Sequence, residues 1–169
     1  TNEINIEKYS LVSDIDKNIP ENPIIDNRFA LIIGNEDYTS HHSNLSNEQN
    51  VDYAVNDSRI FKEYAEKTLG VHQDNIFYFE NITSAVMKKQ ITKVINLLEL
   101  KDDKAEFVFY YAGHGFPDSN DVPCLIPVDV TSSNLNDAVS LFELFERLGK
   151  LSAKKITVFL DACFTGGGR

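Results

Sequence analysis

Four short apolar runs punctuate the chain, each bounded by polar or turn-forming residues. They are Phe29-Ala30-Leu31-Ile32-Ile33, Ile76-Phe77-Tyr78-Phe79, Phe107-Val108-Phe109-Tyr110-Tyr111 and Ile156-Thr157-Val158-Phe159-Leu160. The first, a continuous apolar run ending at Gly34, predicts a central strand buried on both faces, and the other three read as strands. Between them, apolar positions recur at helical spacing. Val51, Ala54, Val55, Ser58, Phe61, Ala65 and Leu69 form one stripe, with Gly70 as its C′ stop. Val86, Met87, Ile91, Val94, Ile95 and Leu98 form a second. Ser140-Leu141-Phe142-Glu143 reads as a capping box, opening a third helix with Leu141, Leu144, Phe145 and Leu148 inward. Residues 1–27 are polar, Asn-rich and broken by Pro20 and Pro23, so they read as an extended lead-in or linker before a domain over 28–169. Residues 116–137 carry Pro117, Pro123 and Pro127 and read as irregular, with room for a short hairpin.

Strands alternating with helices predict an α/β fold: a three-layer α/β/α sandwich around a mainly parallel central sheet. In such sheets functional groups gather beyond the carboxyl ends of the strands. Two of the runs lead straight into unusual segments. One is Tyr111-Ala112-Gly113-His114-Gly115; the other is Asp161-Ala162-Cys163-Phe164-Thr165-Gly166-Gly167. A thiol and an imidazole are the two groups that covalent acyl transfer requires, and such pairs meet in space and not along the chain. Gly113 and Gly115 suit an imidazole presented at a strand end. The small residues after Cys163 suit a loop in which a backbone N–H approaches a reacting carbonyl. No Gly-Lys-Ser/Thr follows those glycines, which excludes a phosphate-binding P-loop.

Other candidates read as ordinary structure. Cys124, within Val122-Pro123-Cys124-Leu125-Ile126, reads as packing. His41, His42 and His72 lie in polar stretches and read as solvated. No cluster has the spacing of a zinc site. Asp161 stands two residues before Cys163, so strand alternation points both to one face. An isolated carboxylate at a buried strand end is costly unless a cation meets it; the alternative is a helix-capping or backbone-bonded aspartate.

Composition narrows the function classes. The chain has 169 residues, enough for one domain with a sizeable core, and a formal net charge of -10. That balance, with no Lys/Arg cluster, argues against nucleic acid and favours cationic ligands such as Arg- or Lys-bearing peptides. No apolar run approaches membrane-spanning length, so no membrane partner is expected. Two cysteines make no disulfide framework. The chain begins at Thr1, so a secreted or periplasmic setting after removal of a leader is one expectation and a cytoplasmic one the other.

Ala112-Gly113-His114-Gly115 and Asp161-Ala162-Cys163-Phe164-Thr165-Gly166 resemble the His and Cys motifs of caspase-like cysteine peptidases, nearest to the metacaspase-like and bacterial caspase-like branch. Arg28-Phe29-Ala30-Leu31-Ile32-Ile33-Gly34-Asn35 resembles that family's first strand, and Asn56-Asp57 matches its next helix. The likeness runs from about residue 28 to 169 and corresponds to the large subunit. It departs at Phe164, where many metacaspase-like chains carry His; little effect is expected, because that side chain lies outside the dyad.

The resemblance implies Cys163 as nucleophile, His114 as general acid/base, and an oxyanion hole from the backbone N–H groups of Gly115 and Cys163. It implies that Asp57 and Asp161 line the S1 pocket and select Arg or Lys at P1. No sequence feature asks for a third member of the dyad. No cofactor is expected. Many metacaspase-like enzymes respond to calcium, yet Asp118, Asp121 and Asp129 do not have EF-hand spacing, so no metal site is assigned. The chain ends at Gly166-Gly167-Gly168-Arg169, and Arg169 reads as the P1 residue of an autocatalytic cut that would release a small subunit as partner. Two other readings compete. One is a catalytically silent caspase-like scaffold. The other is a flavodoxin-like binding domain, against which the acidic loop Gly34-Asn35-Glu36-Asp37-Tyr38 argues.

Overall fold

The computed structural model describes residues 14–45, 49–131 and 134–164. Its central sheet has four parallel strands in the order β2-β1-β3-β7. These are β1 (Arg28–Gly34), β2 (Ile76–Glu80), β3 (Glu106–Ala112) and β7 (Lys155–Asp161). The helices are α1 (Ala54–Lys67), α2 (Ser84–Lys101) and α3 (Leu141–Gly149). β1, read as a central strand, is buried along nearly its whole length, and so is its neighbour β3, as burial on both faces demands.

Alternation sorts their side chains into two layers. Phe29, Leu31 and Ile33, with Phe107, Phe109 and Tyr111, face Met87, Ile91, Val94 and Leu98 of α2 and Leu141, Leu144 and Leu148 of α3. Ala30, Ile32, Val108, Tyr110 and Ala112 face α1 through Ala54, Phe61 and Ala65. The result is the three-layer sandwich that the sequence predicts. Residues 116–137 do form a hairpin: β4 (Gly115–Pro117) pairs with β5 (Pro123–Leu125), which pairs with β6 (Val139–Ser140) in a small antiparallel sheet. Beneath it, Tyr38, Cys124, Ile126, Val128 and Val130 make a third apolar cluster at the carboxyl end of the main sheet.

Two inward positions need correction. Phe145 is 45% exposed and Val86 is 37% exposed. On α3 the buried stripe is Leu141, Leu144 and Leu148, and Phe145 falls with Phe142 one step round the helix. On α2 Met87, Ile91, Val94 and Leu98 already define the buried face, which leaves Val86 at its margin. The Ser140 hydroxyl does cap α3, accepting from the Glu143 N–H at 3.3 Å. Helix α1 stops at Lys67, and Gly70 (φ 65) turns the chain two residues past the C-cap Thr68. The segment before β1 lies along the end of α1: Asn22 N–H donates to Lys67 O, Ile25 N–H to Gly70 O and the Tyr64 hydroxyl to Asp16 Oδ1, at 2.8, 2.8 and 3.2 Å.

At the amino end of the sheet, the buried Glu106 carboxylate accepts from Lys154 Nζ at 2.7 Å and from Arg28 Nε at 3.0 Å. The Lys154 bond, followed by the Arg28 bond, holds its carboxyl down at about 2. A carboxyl depressed in the fold contributes stability above the unfolded value of 4.5, and that contribution is lost as pH falls towards 2. Glu106→Gln should therefore lose about 3–5 kcal/mol at pH 7, because the partly buried Arg28 loses its counter-charge. Lys154, largely exposed, should cost only about 0–1 kcal/mol as Ala. Urea titrations at pH 7 and pH 3 check both; a Glu106→Gln midpoint equal to wild type at pH 7 contradicts the assignment.

Candidate active site

The last rung between β3 and β7 pairs Ala112 with Asp161, and the Gly113 N–H extends it by donating to Asp161 O at 3.2 Å. His114 and Cys163 each lie two residues past that rung, on adjacent strand ends. The side-chain faces carry through as well. Phe159 packs against Phe61 of α1 at 5.1 Å, whereas Ala162 and Phe164 join the cluster on the α2–α3 face. Alternation then puts Asp161 and the exposed Cys163 on the α1 side. His114 opens to the same side, since its Nε2 lies 2.8 Å from the carbonyl oxygen of Gln49 in the β1–α1 connection.

That carbonyl is a third member that the sequence analysis did not anticipate. Nε2–H donating to Gln49 O leaves Nδ1 as the nitrogen available to a neighbouring thiol and fixes the tautomer. A backbone carbonyl carries no side-chain signature, so no residue type could have announced it. The connection that presents it is held by Asn50, whose Oδ1 accepts from the N–H groups of Tyr38 and Thr39 at 2.9 and 3.1 Å.

The peptide of His114 is held from below by two buried phenols. The Tyr38 hydroxyl accepts from the His114 N–H at 3.0 Å and donates to Ile126 O at 2.9 Å. The Tyr111 hydroxyl donates to His114 O at 2.8 Å. Burial pushes the Tyr38 phenol up to about 12, so it stays protonated and can accept and donate at once. The imidazole lies between the rings of Tyr38 and Phe116, at centroid distances of 4.6 and 5.5 Å. Gly113 is required here: its φ is 152, and a Cβ would lie 2.7 Å from the Tyr111 hydroxyl.

Gly115 opens β4, directly opposite Leu125. The Ile126 N–H donates to His114 O and the Asp118 N–H to Val122 O, so the hydrogen-bonded pairs of this hairpin fall at 114, 116 and 118. Gly115 sits at the intervening position, which turns its N–H away from β5 and leaves that donor unspent in the ladder. A Cβ at Gly115 would lie 2.5 Å from the Phe164 ring. Phe164 thus packs over Gly115 within the α2–α3 cluster, on the face opposite Cys163.

The structure brings Asp57 and Asp161 to one corner. The Asp57 carboxyl is raised above 3.8 chiefly by burial; the charges of Asp161 and Asp16 add to this, and a hydrogen bond from Asn56 opposes it. The Tyr110 phenol between strand and helix is raised by burial and by the same two aspartates, Asp161 and Asp57. Among the described residues, neither Asp57 nor Asp161 has a Lys or Arg partner within ion-pair distance. Asp16 is a further carboxylate that the sequence analysis left in the lead-in.

The remaining candidates are spent locally. Cys124 is buried, with its thiol pushed up by burial. Asp118 Oδ1 accepts from the N–H groups of Asn120 and Val122, and Asp129 Oδ1 caps α2 through the Ser84 N–H at 2.7 Å. Among the described residues no three His, Cys, Asp or Glu side chains converge as a metal-ligand set. His41 is exposed, and His72 caps a short turn by accepting from the Asp74 N–H. His42 is only partly solvated: its Nε2 is buried with no hydrogen-bond partner among the described residues. Arg169 and the glycines before it lie outside the described residues. No described helix is long and apolar enough to cross a membrane.

A family model of the caspase domain matches residues 27–169. No curated protein matches the chain significantly.

Two variants probe this corner. Because its carboxyl is raised in the fold, Asp57 binds its proton more tightly in the native state, and stability falls as pH rises through the carboxylate range. Asp57→Asn should raise stability at pH 7 by up to about 1 kcal/mol, a gain that fades below about pH 4. Thermal melts across pH measure it; a lowered melting temperature at pH 7 would refute the unpaired-carboxylate account. Tyr38→Phe should lose about 1–3 kcal/mol in urea denaturation, since it strips a partner from the buried His114 N–H. Unchanged stability together with an unchanged His114 ring NMR spectrum would show that the phenol does not hold the histidine.

Proposed function

The chain belongs to the caspase-domain family of cysteine peptidases, and from that footing we propose that it is an endopeptidase cutting after arginine or lysine. The observation that carries this reading is the shared corner of His114, Cys163, Asp57 and Asp161 beyond the ends of β3 and β7. Cys163 attacks the scissile carbonyl, and His114 takes the thiol proton through Nδ1 while Gln49 O steadies its imidazole. The oxyanion meets the unspent Gly115 N–H and the N–H of Cys163. His114 then protonates the leaving amine, and water hydrolyses the thioester. The partly buried Asp57 and the exposed Asp161, neither with a cation partner among the described residues, suit a guanidinium or ammonium group at P1. These features favour the metacaspase-like branch. The outer edge of β7, with Phe159 41% exposed, supports addition of a further strand there, as a small subunit would supply.

A fluorogenic peptide panel varying P1 tests this on the full-length protein. Wild type should cut after Arg and Lys, and Cys163→Ala and His114→Ala should lose about a thousandfold or more in kcat/KM. Asp161→Asn should cost about 2–5 kcal/mol on basic substrates, the size of a truncated desolvated ion pair. Preference for Asp at P1 would refute the specificity. A folded protein whose Cys163 alkylates normally but cuts nothing in the panel would favour the silent-scaffold reading.

A further inference from the structure

Phe164, the residue after the thiol, is partly buried in the α2–α3 cluster and reaches across to the His114 loop. A Cβ at Gly115 would lie 2.5 Å from its Cε1, 2.7 Å from its Cδ1 and 3.1 Å from the Cys163 carbonyl oxygen. The ring edge and the preceding carbonyl thus occupy the space in which a side chain at 115 would begin, and only glycine allows that approach. The cross-strand neighbour agrees with this placement. Leu125 stands directly opposite Gly115 in the hairpin, so the two share a face, and Leu125 is fully buried in the same cluster as Phe164. Gly115 has no side chain to fill its half of that face, and the Phe164 ring fills it. This contact joins the two loops of the dyad. Gly115 has the N–H that the hairpin ladder leaves unspent, and Cys163 has the second donor. Phe164 is bonded to one of these residues and packed on the other.

We propose that Phe164 is a positioning residue for the oxyanion hole, whose ring over Gly115 fixes the spacing between the Gly115 and Cys163 N–H groups. This assignment rests on the reading of the chain as a cysteine peptidase with its oxyanion hole at those two residues. Two donors stabilise an oxyanion only while both point at one place, and these two come from loops that follow different strands. Among the described residues, the last backbone hydrogen bond between the two loops runs from the Gly113 N–H to Asp161 O, two residues short of each donor. Phe164 closes that gap with an apolar contact. A phenylalanine here therefore matters to the chemistry without touching substrate, contrary to the small effect expected of a side chain outside the dyad.

The full-length protein, its best peptide from the P1 panel and a peptide aldehyde of the same sequence test this. The Cys163 thiolate adds reversibly to the aldehyde carbon and the carbonyl electron pair moves to the oxygen, which then occupies the hole. Alkylation of Cys163 by iodoacetamide makes no oxyanion. Phe164→Ala should lower kcat/KM about ten- to a hundredfold, through kcat, and weaken aldehyde binding in parallel. Its KM and its alkylation rate should stay within about threefold of wild type. Phe164→Leu, which keeps apolar bulk in the cluster, should show the same pattern with about a three- to tenfold loss. Gly115→Ala pushes a methyl against the ring, so its loss in kcat/KM should be at least about fivefold smaller when Phe164 is already alanine. Turnover within about twofold of wild type in both Phe164 variants overturns the proposal, and so does alkylation that falls in step with turnover. Strictly additive losses at Gly115 and Phe164 overturn it too. The parent reading fails differently: wild type itself would then cut no peptide of the panel.

Discussion

The parallel pairing of β3 with β7 is the constraint on which the cleft depends. Seven consecutive rungs, from Glu106 opposite Lys155 to Ala112 opposite Asp161, fix the two strands without a slip. A shift by one residue would turn Asp161 and Cys163 to the α2–α3 face and bring Ala162 and Phe164 to the α1 side. The register is held at both ends. At the amino end, Glu106 meets Arg28 from β1 and Lys154 from the turn before β7, which ties three strands through one carboxylate. At the carboxyl end, Phe164 packs over Gly115 in the apolar layer opposite the cleft.

The two ends of the sheet treat their carboxylates in opposite ways. Glu106 is buried and doubly bonded, so its carboxyl is held low and its charge belongs to the fold. Asp57 is partly buried with no cation beside it among the described residues, so its carboxyl is pushed up and its charge is a cost to the fold.

The strands, the two strand-end motifs and the sandwich were legible in the sequence because each is written locally, as an apolar run or a helical stripe. Phe145 and Val86 show where that legibility fades. Hydrophobicity alone does not say which of two neighbouring helix positions turns inward when the stripe is already filled by Leu144 and Leu148 or by Met87 and Ile91. The support for His114 was not legible at all. Gln49 contributes a carbonyl, which every residue has, and Tyr38 contributes a hydroxyl across a sequence distance of 76 residues. Asp16 sits in a segment that composition marks as a lead-in, and its bond to Tyr64 ties it to α1.

These supports are unequal on the two sides of the cleft. His114 is bound at its N–H, its carbonyl and its ring nitrogen, and its ring lies close to those of Tyr38 and Phe116, so its position is set by the described chain alone. Cys163 is exposed and follows an edge strand, and among the described residues the packing of Phe164 and the Asp161 rung locate it. An edge strand whose Phe159 reaches solvent invites pairing on its outer side. A strand added there would continue the sheet past β7 and confine the backbone that carries the thiol. The imidazole is preorganised and the thiol is not. The outer edge of β7 is thus the side of the cleft on which the described chain supplies least.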